Sequence, residues 1–405
     1  MDTLHSVYVD LHIHIGRTEA GQAVKISAAN NLTFYNIAHE ASERKGIEVI
    51  GIIDCHSPGV QREIRQYVKS GEMRELQGGG IRYHQTTVLL GCELEVRDPG
   101  MGPVHLLVYL PDLSSMESFT AWLCLHMKNV ELSSQRLYVP AKVLQSEVEA
   151  RGGILVPAHI FTPHKSIYGS GSTRMEHLLE LNLISAVELG LSADSTMAGL
   201  ISELDPFTFL TNSDAHSLPK IGREYNRMAL ANPTYEEVVK ALRREEGRHV
   251  EANYGLNPRL GKYHRTYCLN CSSLLDKEQI AASRCLYCGS SKMVRGVMDR
   301  IQSIADRELP VLPDYRPPYH YQIPLEFIPG LGKRKMAALL NHFGTEMNIL
   351  HEAREQDLVH VAGQDIAHMI HLAREGRLEL QTGGGGQYGK VKKGKSYKEI
   401  RSFID

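Results

Sequence analysis

Residues 7–14 read Val-Tyr-Val-Asp-Leu-His-Ile-His, an apolar β-rich run that carries a polar side chain at every second position toward its end. Alternate residues of a strand point to the same face, so Asp10, His12 and His14 share one face. Imidazole and carboxylate groups are the ligands that bind several divalent ions together. The stretch therefore predicts a strand that ends in metal-ligating histidines, with Asp10 able to orient one imidazole.

Similar apolar runs recur through the first 230 residues of the chain. Seven are predicted as strands: residues 7–12, 49–53, 88–94, 104–110, 154–158, 186–189 and 207–211. Helical apolar spacing separates most of them, at residues 32–45, 60–70 and 139–150. This alternation predicts an α/β fold with a largely parallel sheet, closed or nearly closed into a barrel of about seven βα units.

Histidines and carboxylates lie at the ends of most of these strands, where the loops of a βα barrel converge on one mouth. The candidate metal ligands are His12, His14, Asp54, His56, Glu93, His105, His159, Asp214 and His216. A single histidine is more often a hydrogen-bonded structural residue, but buried carboxylates beside several buried imidazoles are costly unless cations compensate them. The set predicts a hydrolytic centre with two or three divalent ions, Zn²⁺, Mg²⁺ or Mn²⁺.

Three of these residues are expected to act in catalysis: Asp214, Glu93 and His159. Such ions activate water and neutralise charge on a phosphate. We expect the loss of Asp214 to be the most damaging, because its carboxylate can bridge ions or position the water. The alternative is that Asp214 only completes a coordination shell.

Four of the seven cysteines are arranged as Cys268-X2-Cys271-X13-Cys285-X2-Cys288. Two matched knuckles of this spacing are typical of a structural Zn²⁺ site with four thiolate ligands, which leaves no open position for a substrate. A redox-active dithiol pair is the alternative.

Residues 328–337 read Ile-Pro-Gly-Leu-Gly-Lys-Arg-Lys-Met-Ala, which is typical of a helix-hairpin-helix turn. Glycines there let backbone amides at a helix N-terminus approach a DNA phosphate, and the following cations add charge. The residues predicted to bind DNA are Gly330, Gly332, Lys333, Arg334 and Lys335. A weaker copy lies at 361–367, and a plain helix-to-helix turn is the alternative.

Composition divides the 405 residues into four expected parts. Residues 1–258 form the metal-dependent barrel, 259–308 the four-cysteine domain, 309–382 an all-α region that begins with a proline-rich linker, and 383–405 a flexible basic tail. The tail could bind DNA, recruit a sliding clamp or another repair protein, or have no specific partner.

Charge differs between the two halves of the chain. Residues 261–405 contain 21 Lys and Arg against 16 Asp and Glu, whereas residues 1–260 contain 24 against 31. The basic part would attract a polyanion, although scattered surface charge is an equal alternative. No export signal and no apolar run of membrane-spanning length is apparent, so we expect a cytoplasmic, nucleoid-associated protein without a membrane partner.

The ligand motifs resemble the polymerase and histidinol phosphatase (PHP) superfamily over roughly residues 5–230. This resemblance implies a seven-stranded PHP barrel that hydrolyses phosphoesters with two or three metal ions, bound by His12, His14, His56, Glu93, His105, His159, Asp214 and His216. The superfamily usually has adjacent aspartate and histidine after the second strand. Here Cys55 separates them, which leaves open whether Asp54 or His56 is the ligand.

The order of barrel, four-cysteine ribbon and helical hairpins resembles the endonuclease Q family. Four segments carry this resemblance: residues 157–163, 190–194, 202–205 and 212–217, with 222–224 just beyond. It implies a DNA repair enzyme that nicks on the 5′ side of uracil, hypoxanthine, xanthine or an abasic site, with the lesion base turned out of the stack. Two other functions stay open: a small-molecule phosphatase on the same barrel, and a non-catalytic DNA-binding module attached to a helicase or polymerase.

Overall fold

The computed structural model describes residues 2–275, 277–281, 284–381, 383 and 387–392. These residues form strands and helices that we number in chain order. The strands are β1 (His5–Ile13), β2 (Val49–Ile52), β3 (Arg74–Glu75), β4 (Ile81–Tyr83), β5 (Thr86–Val96), β6 (Val104–Leu110), β7 (Ile154–Pro157), β8 (Ala186–Glu188), β9 (Thr208–Leu210), β10 (Tyr225–Leu230), β11 (His249–Gly255), β12 (Tyr267–Cys268), β13 (Met293–Val294), β14 (Tyr319–Tyr321), β15 (Leu380–Gln381) and β16 (Lys390–Val391).

The helices alternate with the strands in the first half of the chain and follow one another near its end. They are α1 (Phe34–His39), α2 (Pro58–Ser70), α3 (Leu113–His126), α4 (Ala141–Glu149), α5 (Ser195–Ala198), α6 (Tyr235–Arg243), α7 (Lys277–Ala281), α8 (Val297–Ile304), α9 (Lys333–Phe343), α10 (Glu355–Ala362) and α11 (Gln364–Arg374). Helix boundaries follow local chemistry, as in α2, which begins with Pro58 and ends before Gly71 in the left-handed conformation.

The seven predicted strands form a ring, in the order β1, β2, β5, β6, β7, β8 and β9. Backbone pairing runs from β1 through β7, and β8 pairs with β9. Hydrogen bonds at two places complete the ring: Ile160 N donates to Glu188 O (2.9 Å), and Ala215 N donates to His12 O (3.1 Å). The predicted α/β fold with a seven-stranded PHP-type barrel is therefore confirmed.

One strand differs from the largely parallel sheet that the sequence predicts. Strand β6 is antiparallel to both of its neighbours, β5 and β7. Only residues 97–103 join β5 to β6, and so short a connection makes a hairpin rather than a helical crossover. The reversal brings the start of β6, with His105, beside the end of β5, with Glu93.

Apolar residues from around the ring meet in one buried cluster. Val9, Leu107, Val156 and Leu210 belong to it and come from β1, β6, β7 and β9. A second, larger cluster, which includes Cys55 and Cys92, lies between the sheet and the surrounding helices. The barrel is thus a packed core that holds its polar mouth rigidly.

Further strands extend the sheet beyond the ring. Strand β10 pairs antiparallel with β1, β11 pairs with β10, and β14 of the proline-rich segment adds parallel to β11. Arg316 of that segment stacks on Phe209, with the guanidinium 3.3 Å from the ring centroid. The segment predicted as a linker is therefore packed against the barrel.

The C-terminal helices also contact the barrel directly. Lys45 Nζ lies 3.0 Å from Glu346 Oε2, and both side chains are nearly buried. His351 Nε2 lies 2.6 Å from the hydroxyl of Tyr225, and its ring stacks on Tyr8. These contacts hold the helical region against strands β1 and β10 and against the segment that follows α1.

The first part of the predicted tail contacts other parts of the chain, because β16 pairs with β15 and Gly389 N donates to Leu260 O (2.9 Å). Residues 393–405, which hold most of the predicted basic tail, lie outside the described residues. Within the described part of the chain, no helix combines the length and the apolar character that crossing a membrane requires.

Candidate metal centre and active site

His12, near the end of β1, and His14, directly after it, project into the barrel mouth, where both are buried. His12 Nε2 lies 3.7 Å from Glu93 Oε1 and 3.5 Å from Asp214 Oδ1. His14 Nε2 lies 3.7 Å from Glu93 Oε2 and 3.6 Å from Asp214 Oδ1. Residues some 200 positions apart in the chain thus converge on one point, as the strand-end positions predicted.

Glu93 lies at the centre of the mouth. Its Oε1 is 2.7 Å from His105 Nδ1 and 3.6 Å from His159 Nε2. His216 reaches the other side of the site, with its Nδ1 3.5 Å from Asp214 Oδ1. Ligand atoms come within 4.8 Å of one another in three groups: His12–His14–Glu93, His14–Asp214–His216 and Glu93–His105–His159. Glu93 and His14 each belong to two of them.

The second-strand pair lies differently. Asp54 Oδ2 accepts hydrogen bonds from His14 Nδ1 (3.1 Å) and Ile15 N (2.8 Å), so this carboxylate orients His14. His56 Nε2 instead faces the carbonyl of Leu132 at 3.3 Å. Neither side chain belongs to the three groups found among the described residues. The structure thus brings Asp54 next to a candidate ligand and leaves His56 at the edge.

A carboxylate that the sequence reasoning did not select, Glu188, orients His12. Its Oε2 accepts from His12 Nδ1 (2.9 Å) and from the side-chain amide of Asn212 (2.9 Å), and its Oε1 accepts from His159 N (3.0 Å). Glu188 is the last residue of β8 and its only polar one. That position, at the end of a predicted strand, was the available signal.

Two site residues have strained backbones. His159 has φ 28° and Asp214 has φ 45°, values in the left-handed region that residues with a Cβ seldom adopt. Such strain persists only where the surroundings enforce it, and it concentrates at functional sites. Both strained residues belong to the candidate ligand groups.

Burial and neighbouring charges shift the pKa values of the site in opposite directions. Burial raises the pKa of the Glu93 carboxyl, but the neighbouring groups His105 and Lys25 lower it by more. The pKa of Glu93 therefore lies well below its usual range. Burial lowers the pKa of His12, but Glu188 and Asp214 raise it to about 10. The ionised carboxylates therefore attract cations strongly in this mouth.

The residues fit divalent ions on the chemistry of their donors. His12 Nε2 and His105 Nε2 are buried without a hydrogen-bond partner, a costly state for a polar atom. Each of these histidines belongs to a group that combines imidazole and carboxylate donors. Such donors suit zinc, manganese and magnesium. His12, His14, Glu93, His105, His159, Asp214 and His216 are the residues that would hold the ions.

The four cysteines of the second domain also come together. Cys268 Sγ lies 3.6 Å from Cys288 Sγ, and Cys271 Sγ lies 3.6 Å from Cys285 Sγ. All four sulfurs form one group within 4.8 Å, and none is in a disulfide. The arrangement is that of a four-thiolate metal site.

The chain is similar to known proteins over nearly its whole length. Residues 199–246 match the family described as PHP-associated. The uncharacterized protein YqxK of Bacillus subtilis is 49% identical over 391 residues, which are 96% of this chain and all of YqxK. The uncharacterized protein MJ0043 of Methanocaldococcus jannaschii is 35% identical over 250 residues, 57% of this chain and 31% of that protein.

Two solved structures superpose on nearly the full chain. The lesion-specific endonuclease PfuEndoQ from Pyrococcus furiosus has a TM-score of 0.82 at 29% identity, over 98% of this chain and 99% of that one. An endonuclease Q complex with a 27-mer duplex that has an abasic lesion at the active site has a TM-score of 0.84 at 29% identity, over 98% of this chain and 100% of that one. The chain belongs to the endonuclease Q family.

In this endonuclease Q family member, a cavity of about 190 Å³ adjoins His105 and His159. Part of its wall comes from outside the barrel, from Lys262, Tyr263 and Tyr388. Lys262 Nζ lies 4.8 Å from the ring centroid of Tyr263 and 5.7 Å from that of Tyr388. The barrel, the four-cysteine domain and the C-terminal segment therefore enclose this space together.

Gly190 is required at the floor of the cavity. It has φ 80°, and a Cβ placed on it would lie 2.9 Å from Cβ of His159. A larger residue would strain its own backbone and displace this candidate ligand. The glycine after β8 thus allows His159 to approach the site.

The helical region of this endonuclease Q family member carries the predicted glycine turn. Gly332 precedes α9, and Lys333, Arg334 and Lys335 in its first turn are exposed. Gly363, with φ 87°, joins α10 to α11. The second, weaker motif is therefore the one flanked by two α-helices, whereas a short 3₁₀ turn precedes the first.

Proposed function

We propose that this protein is a metal-dependent endonuclease that nicks DNA on the 5′ side of a deaminated base (uracil, hypoxanthine or xanthine) or of an abasic site. Membership of the endonuclease Q family makes it a DNA repair endonuclease. The observation that carries the finer proposal is the position of the candidate metal ligands. They line one barrel mouth, next to a cavity closed by residues of the second domain and the C-terminal segment.

The candidate ligands define the chemistry. Two or three divalent ions would activate water and neutralise charge on the phosphate. Glu93 and Asp214 supply the carboxylates shared among the imidazoles, while Glu188 and Asp54 keep the rings of His12 and His14 oriented. His159 faces both Glu93 and the cavity, so it joins the ligand groups to the space where a nucleotide would bind.

The cavity suits an extruded nucleotide. Its volume of about 190 Å³ is below the usual 300–1,000 Å³ of small-molecule pockets, so it could take a single base but no duplex. Tyr263 and Tyr388 offer aromatic faces, and Lys262 a positive charge. Enzymes that act at damaged bases commonly extrude the nucleotide, and a mismatched or missing base lowers the cost.

The other domains would hold the DNA. Exposed Lys333, Arg334 and Lys335 at the start of α9 are proposed to contact phosphates, together with backbone amides near Gly330 and Gly332. Zn²⁺ on Cys268, Cys271, Cys285 and Cys288 would fix the fold of the small second domain. A chromosomal substrate implies work in the cytoplasm, at the nucleoid.

A cleavage assay tests this function. Labelled duplexes with normal bases, uracil, hypoxanthine, xanthine or an abasic site are incubated with Mg²⁺, Mn²⁺ or Zn²⁺, and the nick is mapped on a sequencing gel. We expect a nick on the 5′ side of the lesion only. Cutting of every duplex alike would indicate a general nuclease, and bound but uncut DNA would contradict the proposal.

Asp214→Asn gives the internal test of the site. The variant keeps the shape of the side chain but removes a charge that faces His12, His14 and His216, so we expect cleavage to fall below detection while DNA binding persists. Asp314→Asn, which changes an exposed carboxylate in the proline-rich segment, serves as the control. If Asp214→Asn cut the lesion duplex at the wild-type rate, Asp214 would have no role in the reaction.

A further inference from the structure

Lys25 lies in the barrel mouth although neither the candidate ligand set nor the cavity includes it. It follows β1 in the chain, and its backbone N donates to Ile15 O (2.9 Å). The side chain is only 16% exposed, and Nζ lies 3.4 Å from Glu93 Oε2. A nearly buried cation thus sits directly beside the central carboxylate of the site.

The position of the ammonium group is built rather than accidental. Lys25 Nζ donates to Ser134 Oγ at 2.5 Å, and Ser134 Oγ donates to Glu93. Ser134 has φ 53°, a left-handed conformation that is unfavourable for serine. The hydroxyl oxygen of the preceding residue, Ser133 Oγ, lies 3.2 Å from His14 Nδ1. Ser134 and its neighbour Ser133, whose hydroxyl oxygens lie 3.0 Å apart, therefore connect the lysine to two candidate metal ligands.

This lysine works against the binding of divalent ions. A positive charge a few ångströms from the ligands repels cations, and the low dielectric of the mouth strengthens that repulsion. Glu93 does not need Lys25 as a partner, because four imidazoles lie within 3.7 Å of its carboxylate. The placement would become favourable if an anion entered the mouth beside the lysine.

We propose that Lys25 is a catalytic residue whose ammonium group contacts a non-bridging oxygen of the scissile phosphate. This inference rests on the proposed phosphodiester hydrolysis. In that reaction the oxygen of water bonds to phosphorus, one phosphorus–ester oxygen bond breaks, and a proton from water ends on the departing oxygen. Lys25 keeps its proton throughout and stabilises the negative charge that builds on the phosphate oxygens.

The test compares Lys25→Ala and Lys25→Arg with wild type and with Lys142→Ala, which removes an exposed surface lysine paired with Glu180. Single-turnover cleavage is measured at saturating protein on the abasic duplex. Hydrolysis of bis(4-nitrophenyl) phosphate is measured in parallel, because this diester needs no DNA recognition. Metal content is determined by mass spectrometry after gel filtration.

We expect Lys25→Ala to lower both rates by about 10²–10³-fold, the usual effect of removing one preorganised donor to a developing oxyanion. Metal content should equal that of wild type, and Lys25→Arg should recover most of the rate. The inference is overturned by a Lys25→Ala rate within threefold of wild type, by loss of metal in that variant, or by an arginine variant no faster than the alanine one.

The two substrates separate this inference from the proposed function. If wild type hydrolyses the small diester but cuts no lesion duplex, the lesion-specific function fails, and Lys25 is judged on the small diester alone. If metal-loaded wild type hydrolyses neither substrate, both proposals fall.

Discussion

At the scale of single residues, His12 depends on a carboxylate that lies 176 positions away in the chain. Glu188 accepts from His12 Nδ1 and so leaves Nε2 free to face Glu93 and Asp214. Carboxylates of this kind fix the tautomer of a ligating histidine and raise its basicity. Glu188 is therefore expected to affect metal binding through its contact with His12.

Glu188→Gln should weaken metal affinity by about 10- to 100-fold, because the neutral amide supports His12 less well than the carboxylate does. Affinity is measured by competition with a chromogenic chelator. Glu176→Gln, at an exposed glutamate, is the control. Equal metal affinity in Glu188→Gln and wild type would show that the contact between Glu188 and His12 is only structural.

Glu224 predicts a pH dependence of stability. Burial raises the pKa of its carboxyl from 4.5 to about 8, and its Oε1 accepts from Leu256 N at 2.6 Å. The folded protein therefore holds this proton up to about pH 8, whereas the unfolded chain loses it above pH 4.5. Unfolding releases a proton in that window, so this group makes the fold less stable as the pH rises through it.

Glu224→Gln removes this titration and keeps the shape of the side chain. The free energy of unfolding of the variant, relative to wild type, should therefore rise between pH 4.5 and 8 and level off above that range. Urea unfolding at several pH values, followed by fluorescence of the single tryptophan, Trp122, gives the measurement. A difference that does not change with pH would contradict the expectation.

The relative placement of two candidate ligands could be predicted where the signal was local. His12 and His14 alternate along one strand, so their common face follows from backbone geometry alone. Asp54 and His56 could not be separated in this way, because both follow β2 and only the packing around His14 and Leu132 distinguishes them. Glu188 and Lys25 gave weaker local signals, since one carboxylate or one lysine occurs in many contexts.

At the scale of elements, the four-cysteine domain has little to hold it together without a metal. Its strands β12 and β13 have two residues each, and its buried cluster contains Cys268, Leu275 and Cys285. So small a core rarely supports a fold by itself. An ion held by the four thiolates would therefore supply most of the stability of this domain.

Cys285→Ser should remove about one equivalent of zinc and make residues 262–296 sensitive to protease, while the barrel stays folded. Zinc content and the sites of limited proteolysis are compared with those of Cys124→Ser, an exposed cysteine of α3 outside the group. Full zinc content in Cys285→Ser would contradict a four-thiolate site.

Element types followed from periodicity, but the direction of β6 did not. Apolar residues continue through β5 and β6, and both strands are predicted correctly from that pattern. Their relative direction depends on whether residues 97–103 can cross over the sheet, and a segment of this length cannot. The reversal decides that His105 reaches the mouth from the start of its strand.

At the scale of the whole molecule, the helical region is held in one orientation relative to the metal site. The segment between α9 and α10 contacts the barrel at two places: Glu346 pairs with Lys45, which follows α1, and His351 contacts Tyr8 of β1 and Tyr225 of β10. DNA bound by the helical region would therefore have a fixed position and orientation relative to the barrel mouth.

Replacing Lys333, Arg334 and Lys335 together by alanine should weaken binding to intact and lesion-containing DNA alike. The slope of log affinity against log salt concentration should become less steep by up to about 3, because each lost phosphate contact lowers this slope by about 1. Both kinds of DNA are affected because phosphate contacts carry no base specificity. Fluorescence anisotropy at several salt concentrations measures this. The control replaces Arg62, Arg65 and Lys69, exposed cations of α2. Unchanged affinity would place the DNA elsewhere.

The sequence by itself determined the local chemistry of this protein: strands that end in histidine or acid, two cysteine knuckles, and a glycine turn before three cations. These features depend on neighbouring residues and on backbone periodicity, which are visible along the chain. Only the tertiary structure decided that Asp54 and Glu188 orient histidines, that β6 is antiparallel to its neighbours, and that Lys25 lies beside Glu93. Those facts depend on ring closure, which sets distances between residues far apart in the chain.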